Sequence, residues 1–211
     1  YLHTDCVQAY GKIPFTPKSL GADLLTISSH KIHGPKGAGA LYIKKGVRIL
    51  PTVYGGGQEK GLRSGTENTY ALCGFGAAAT ETFRLMPKES PRLQALRDET
   101  ARRILEEVPD CVINTPKTSA PHILNISVLG LKSEVMLHFL ESRGIYVSAG
   151  SACSAKSGKE SHVLFSAGLS KERIDSALRI SFGHFNTQED CDALIEGLKL
   201  CREELKSKST R

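Results

Sequence analysis

Two short stretches carry the side chains best suited to chemistry. In S-S-H-K-I-H-G-P-K-G-A-G-A-L-Y (28–42), hydroxyls, an imidazole and the amine of Lys31 follow directly on the apolar run D-L-L-T-I-S-S (23–29). The carboxyl end of a strand is where α/β folds build their sites. An amine partly removed from water there becomes a nucleophile. Ser28, Ser29 and His30 offer donors to an anion such as phosphate, and Gly34, Gly37 and Gly39 let the backbone approach a ligand closely. The same residues also read as a polar turn between two strands with a solvated lysine, because glycine-rich runs are common. The second stretch, S-A-G-S-A-C-S-A-K-S-G (148–158), sets Cys153 among serine, alanine and glycine. It has little apolar surface to pack and neither a helical nor a strand period. It reads as a mobile arm that carries a thiol.

Three further segments offer polar groups in useful patterns. In H-T-D-C-V-Q (3–8), Asp5 stands at a strand's carboxyl end with the amide of Gln8 three residues on. Such a pair can hold a heterocycle, the carboxylate keeping a ring nitrogen protonated and the amide donating to a phenolic oxygen. Equally, Asp5 is a helix N-cap over the turn that Gln8 enters. In Y-G-G-G-Q-E-K-G-L-R-S-G-T (54–66), Arg63, Ser64 and Thr66 near a helix start suit an anion; the bland reading is a surface loop. In A-L-R-I-S-F-G (177–183), Arg179 sits inside a short apolar strand and needs a partner. A substrate carboxylate held bidentately supplies one, and so does a structural salt bridge.

The elements that must position these groups alternate. Apolar runs predict strands at 1–4, 23–29 and 38–43, the first of them buried, then a helix from Thr66, its cap, to about Phe83. That helix presents Ala71, Leu72, Phe75, Ala78, Ala79 and Phe83 on one face. A separate amphipathic helix is expected over 91–108, with Leu93, Leu96, Ile104, Leu105 and Val108 inward and Pro87 and Pro91 bracketing its entry. A domain boundary is placed near 86–90. Beyond it, strands are expected at 123–128, 145–148 and 178–182. Ser133 caps a helix closed by Gly144, and Thr187 with Asp190 opens a last helix through Leu205.

The totals narrow the class. The 211 residues are 40% hydrophobic and 24% charged, as in ordinary globular proteins, with a formal net charge of +6. Lys and Arg are scattered, with a short cluster only at Lys206, Lys208 and Arg211, which favours a solvated surface over a nucleic-acid patch. Local positive charge equally suits an anionic small ligand. The six cysteines form neither C-x-x-C nor a zinc-finger spacing, so reduced thiols, a cytoplasmic setting and no metal site are expected. No apolar run approaches the ~20 residues that span a bilayer, and no signal peptide is read. The opening Y-L-H-T-D reads like the middle of a strand, so a piece of a longer protein is expected.

Taken in order, H-T-D-C-V-Q, S-S-H-K-I-H-G-P-K-G, G-G-G-Q-E-K-G-L-R-S-G-T, S-A-G-S-A-C-S and L-R-I-S-F-G resemble the pyridoxal-phosphate-dependent cysteine desulfurases of the class V aminotransferase family. The R-S-G-T and G-S-A-C-S forms are similar to the nitrogen-fixation and iron–sulfur assembly branch, rather than to the branch with a shorter cysteine loop. The resemblance implies an α/β fold, the C-terminal part of a fold-type I transferase: residues 1–86 as part of the large cofactor-binding domain, and 87–211 as the small domain with the cysteine loop. It implies pyridoxal 5'-phosphate bonded to Lys31, with Asp5 on the ring nitrogen, Gln8 on the ring oxygen, Ser28 and His30 on the phosphate, and Thr66 reaching the phosphate of the neighbouring subunit in a homodimer. Arg179 would grip the substrate carboxylate, and Lys31, Cys153 and His30 form the catalytic set, with Cys153 the nucleophile. The implied reaction turns L-cysteine into L-alanine and a persulfide on Cys153, for delivery to a sulfur-acceptor or iron–sulfur scaffold protein. No nucleic acid or membrane takes part. A selenocysteine lyase or another class V lyase, and a non-catalytic dimerisation or docking module, stay open as alternatives. The family's upstream half, with further phosphate contacts and an aromatic ring over the cofactor, is not found in these residues. Residues 154–160 depart from the usual wording after the cysteine, which leaves the acceptor open.

Overall fold

The structure, a computed structural model, describes residues 1–149 and 161–209. Two compact units divide the chain, Tyr1–Lys88 and Glu89–Arg211.

In the first unit, β1 (His3–Asp5), β2 (Leu24–Ser28) and β3 (Gly39–Ile43) form one sheet in that order, β1 parallel to β2 and β3 antiparallel to it. Apolar runs bounded by turn residues explain β2 and β3. The first strand differs from expectation. It starts at His3, lies at the edge of the sheet, and residues Tyr1, Leu2 and His3 are exposed instead of buried. After it, the amides of Ala9 and Tyr10 both donate to the Cys6 carbonyl, a turn held in place by the buried Cys6. Tyr10 stacks edge-on against Phe75 and Phe83.

Phe75 belongs to α1 (Thr69–Glu107), a single helix of 39 residues where two were expected. Thr66 is not its cap. Asn68 is the residue whose Oδ1 accepts from the Ala71 amide, at 3.2 Å. Pro87 and Pro91 lie within the helix. Each removes one backbone hydrogen bond, but both are exposed, so water can meet the stranded carbonyls. Packing on the inward side then carries the helix through. Ala71 and Phe75 are buried in the first unit, and Leu93, Leu96, Ile104 and Val108 in the second. The buried face of the later turns differs from the expected one. Leu105 is exposed, and Thr100 is fully buried with its hydroxyl donating to the Leu96 carbonyl at 2.7 Å.

The second unit is built on an antiparallel sheet, β4 (Cys111–Ile113), β5 (Ile123–Val128) and β6 (Ala177–Ser181) in that order. One face is apolar. Leu124, Ile126 and Val128 of β5 and Leu178 and Ile180 of β6 are buried there with the end of α1, with Met136 and Leu140 of α2 (Ser133–Glu141), and with α5 (Gln188–Ser209). Two short helices, α3 (His162–Ser166) and α4 (Lys171–Asp175), were not anticipated; each is capped by a serine hydroxyl, Ser161 and Ser170. Strand β4 was also missed. Residues 145–148 form no regular strand but one antiparallel bridge, Ser148 to Arg179. Lys132 takes the cap position expected for Ser133. The start of α5 is as expected, the Thr187 amide donating to Asp190 at 3.0 Å, although the helix runs past Leu205. Among the described residues no helix is long and apolar enough to cross a membrane.

Candidate functional site

In the first unit, parallel pairing sets the carboxyl ends of β1 and β2 side by side. Asp5 lies opposite Thr26, and Ser28 ends β2 two residues further on. The chain then winds into a tight 3₁₀ turn, Ser29–Ile32, anchored by the buried Ile32 and closed by His33 in the left-handed region at φ 66°. That turn lifts His30 into solvent and holds Lys31 half-buried at the edge. Ser28 Oγ and His30 Nδ1 are hydrogen-bonded at 2.7 Å. Asp5, Ser28, His30 and Lys31 are thereby gathered at one edge of one sheet.

Several local expectations change. Asp5 Oδ1 accepts from the Val7 amide at 2.9 Å, so this carboxylate does cap its own turn. Ser29 is fully buried, and its Oγ has no partner among the described residues, so it is no surface donor to an anion. The glycines admit the protein's own atoms rather than a ligand: a Cβ at Gly34 would lie 2.2 Å from Ser29 Oγ, and one at Gly39 2.8 Å from the Ile27 carbonyl oxygen. Of these three glycines, Gly37 alone faces open space. In the loop over 54–66, Arg63 folds back to donate to the Ser64 carbonyl at 3.0 Å, and Ser64 is buried. Thr66 is exposed and lies three residues before α1 rather than at its start. Gln8 is exposed, and the described contacts give its side chain no role.

In the second unit, the sheet face opposite the apolar core carries Asn125, Ser127 and Arg179. Register sets Asn114, Asn125 and Arg179 in one row. Ile113 pairs with Ile126, so Asn114 follows opposite Asn125, whose carbonyl accepts its amide at 2.8 Å; Asn125 in turn faces Arg179. The Arg179 backbone bonds both ways to Ser148, at 2.6 and 3.1 Å. The Arg179 Nε is buried and without a partner among the described residues. The Arg173 guanidinium donates to Asn114 Oδ1 at 2.6 and 2.9 Å, and Asn114 Nδ2 donates to Asn125 Oδ1 at 2.7 Å and Ser127 Oγ at 2.8 Å. The sequence reading missed this row, since only strand pairing brings 114 and 125 together.

Cys153, Gly150 and Gly158 lie outside the described residues. Of the described cysteines, Cys73 is exposed, while burial pushes the Cys111 thiol up to about 12 and that of Cys201 up to about 11. Burial, and after it the charge of Asp5, also raises the Cys6 thiol. Among the described residues no cluster of His, Cys, Asp or Glu could hold a metal ion.

Comparison with known proteins places the chain at the level of family and fold. Cysteine desulfurase IscS of Clostridium botulinum is 44% identical over 201 residues, which are 94% of this chain and 51% of that protein. The NifS-like protein from Rickettsia africae superposes with a TM-score of 0.85 at 34% identity, covering 95% of this chain and 53% of that one. A structure of SspA in complex with cysteine matches with a TM-score of 0.67 at 31% identity, over 88% of this chain and 51% of its own. The α/β transferase fold expected from the sequence is borne out. The chain spans about half the length of the curated relatives it matches. The family model for aminotransferase class-V matches residues 1–194. The chain belongs to the aminotransferase class-V family.

Proposed function

We propose that the chain is the carboxyl-terminal portion of a cysteine desulfurase that works in the cytoplasm as a homodimer, takes L-cysteine, and passes its sulfur to an acceptor protein in iron–sulfur cluster assembly. The observation that carries the reading is the convergence of Asp5, Ser28, His30 and Lys31 at one sheet edge. These residues fit pyridoxal phosphate: a carboxylate for a ring nitrogen, a hydroxyl–imidazole pair for a phosphate, an amine for an aldehyde, and open room at Gly37. When bound, pyridoxal phosphate supplies an electron-accepting ring. Asp5 would hold the proton on its nitrogen, and Thr66 would meet the phosphate from the partner subunit. The Lys31 Nζ would move the proton at the substrate α-carbon. Arg179, with its buried Nε, would hold the carboxylate. The Cys153 thiolate would take the substrate sulfur: a sulfur–sulfur bond forms, the carbon–sulfur bond breaks, and the carbon gains a proton and leaves as L-alanine. The relatives' names as cysteine desulfurases, and the cysteine named with SspA, support this chemistry.

The test uses the complete protein. Lys31→Ala removes the visible absorbance of bound pyridoxal phosphate. Cys153→Ser keeps that absorbance and lowers alanine formation from L-cysteine by about three orders of magnitude or more. Alanine formed by Cys153→Ser at the parent rate would overturn the reading.

A further inference from the structure

We infer that Asn125 is a second donor to the carboxylate held by Arg179, aimed by a relay that starts at Arg173. This rests on the proposed role of Arg179. Arginine can only donate, so Arg173 fixes which end of the Asn114 amide faces it: the oxygen accepts, at 2.6 and 2.9 Å. The Asn114 nitrogen is thereby turned toward Asn125 and Ser127, at 2.7 and 2.8 Å. Asn125 must answer with its oxygen, and this leaves its NH₂ as the end not engaged by the relay. The far side of the relay is secured as well, the Ser127 hydroxyl donating to the Arg173 carbonyl at 2.6 Å.

Pairing decides how near that NH₂ comes to Arg179. The Asn125 amide donates to Thr115 Oγ1 at 2.6 Å and its carbonyl accepts from Asn114, while both backbone bonds of Arg179 go to Ser148. Both backbones therefore point away from each other. Asn125 and Arg179 form a non-hydrogen-bonded antiparallel pair, the kind that brings opposed side chains closest, with Cα atoms about 4.5 Å apart. Their side chains leave the same face of the sheet. The Arg179 Nε is buried with no acceptor among the described residues. Two donors set side by side need an acceptor between them, and a carboxylate has oxygens for both.

The test uses the complete, cofactor-loaded protein and two probes: 3-mercaptopropionate, which has the carboxylate and thiol of cysteine without its amine, and cysteamine, which lacks the carboxylate. Asn125→Ala weakens inhibition by 3-mercaptopropionate and raises KM for L-cysteine about tenfold or more, leaving kcat and inhibition by cysteamine within about twofold. Asn114→Asp keeps the acceptor for Arg173 but cannot donate to Asn125, so it releases the aim and gives a smaller loss of the same kind; it serves where Asn125→Ala fails to fold. Arg179→Lys is run beside them. If Arg179→Lys leaves both measurements unaltered, the carboxylate role of Arg179 falls. If Arg179→Lys weakens them while Asn125→Ala and Asn114→Asp do not, the Asn125 inference alone is overturned.

Discussion

Asp5 shows how one side chain can satisfy two readings at once. Its Oδ1 accepts from the Val7 amide, which is the capping role, and this leaves the second oxygen for a ring nitrogen. Replacement by asparagine separates the two. An amide oxygen can still accept from Val7, but a neutral group cannot hold a proton on a pyridine nitrogen. Asp5→Asn should therefore keep the stability of the complete protein within about 0.5 kcal/mol in urea unfolding. Turnover of L-cysteine should fall by about a hundredfold or more. Full turnover with Asp5→Asn would leave only the capping role. Ser29 makes the opposite point. It stands beside Ser28 in the sequence and shares its chemistry, yet it is sealed under Gly34 while Ser28 reaches His30. Neighbouring serines cannot be ranked from residue type alone, because the turn that separates them is decided by packing.

The middle of α1 is where a helix holds a loop by ionic contacts. Glu89 accepts from Arg92 Nε and Nη2 and from His184 Nδ1, and Arg92 donates to the carbonyls of Gly183, His184 and Asn186 just past β6. The Arg92 guanidinium, and after it the His184 ring, hold the Glu89 carboxyl below the usual carboxylate range. A carboxyl that is more acidic when folded contributes fully above its unfolded value of about 4.3, and that contribution is lost as pH falls through the folded value. Glu89→Gln should thus be less stable than the parent by roughly 1 kcal/mol at neutral pH, the gap narrowing as pH falls below the unfolded value and through the folded one. Thermal unfolding over falling pH measures it, and a gap that stays constant from neutral pH down into the acid range would show that the loss is not ionic. The elements themselves were unequally legible. Strands β2, β3, β5 and β6 announce themselves as apolar runs between turn residues. The prolines at 87 and 91 suggested a break because the local rule is strong, but buried contacts on both sides outweigh two lost hydrogen bonds. Helices α3 and α4 have five residues each, too few to show a period. The sheet-edge site around Lys31 was readable because its members are close in sequence, whereas the Asn114–Asn125–Arg179 row exists only through register.

The two units differ in how much each buries. In the second, a continuous core runs from Leu93 and Ile104 through Ile126, Met136, Leu140 and Leu178 to Ile195 and Leu198. In the first, the buried apolar side chains are Cys6, Ala22, Leu25, Ile32, Ala71 and Phe75, while Leu41, Tyr42, Leu50, Val53, Tyr54 and Tyr70 stand exposed. Small side chains make up half of that inner set. The apolar area removed from water is the main term opposing the conformational entropy lost on folding. The first unit, with a three-stranded sheet and two of its strands at edges, has little margin. Hydrogen exchange of the 211-residue chain should therefore be graded by unit. Amides of β5, β6 and the first half of α5 open only through unfolding of the second unit. Those of β1, β2 and β3 open by separate, cheaper excursions, with protection factors lower by about a hundredfold or more. Equal protection in both sheets of the 211-residue chain would contradict the argument, because it would mean that the sheet carrying Lys31 at its edge opens only when the core around Ile126 does.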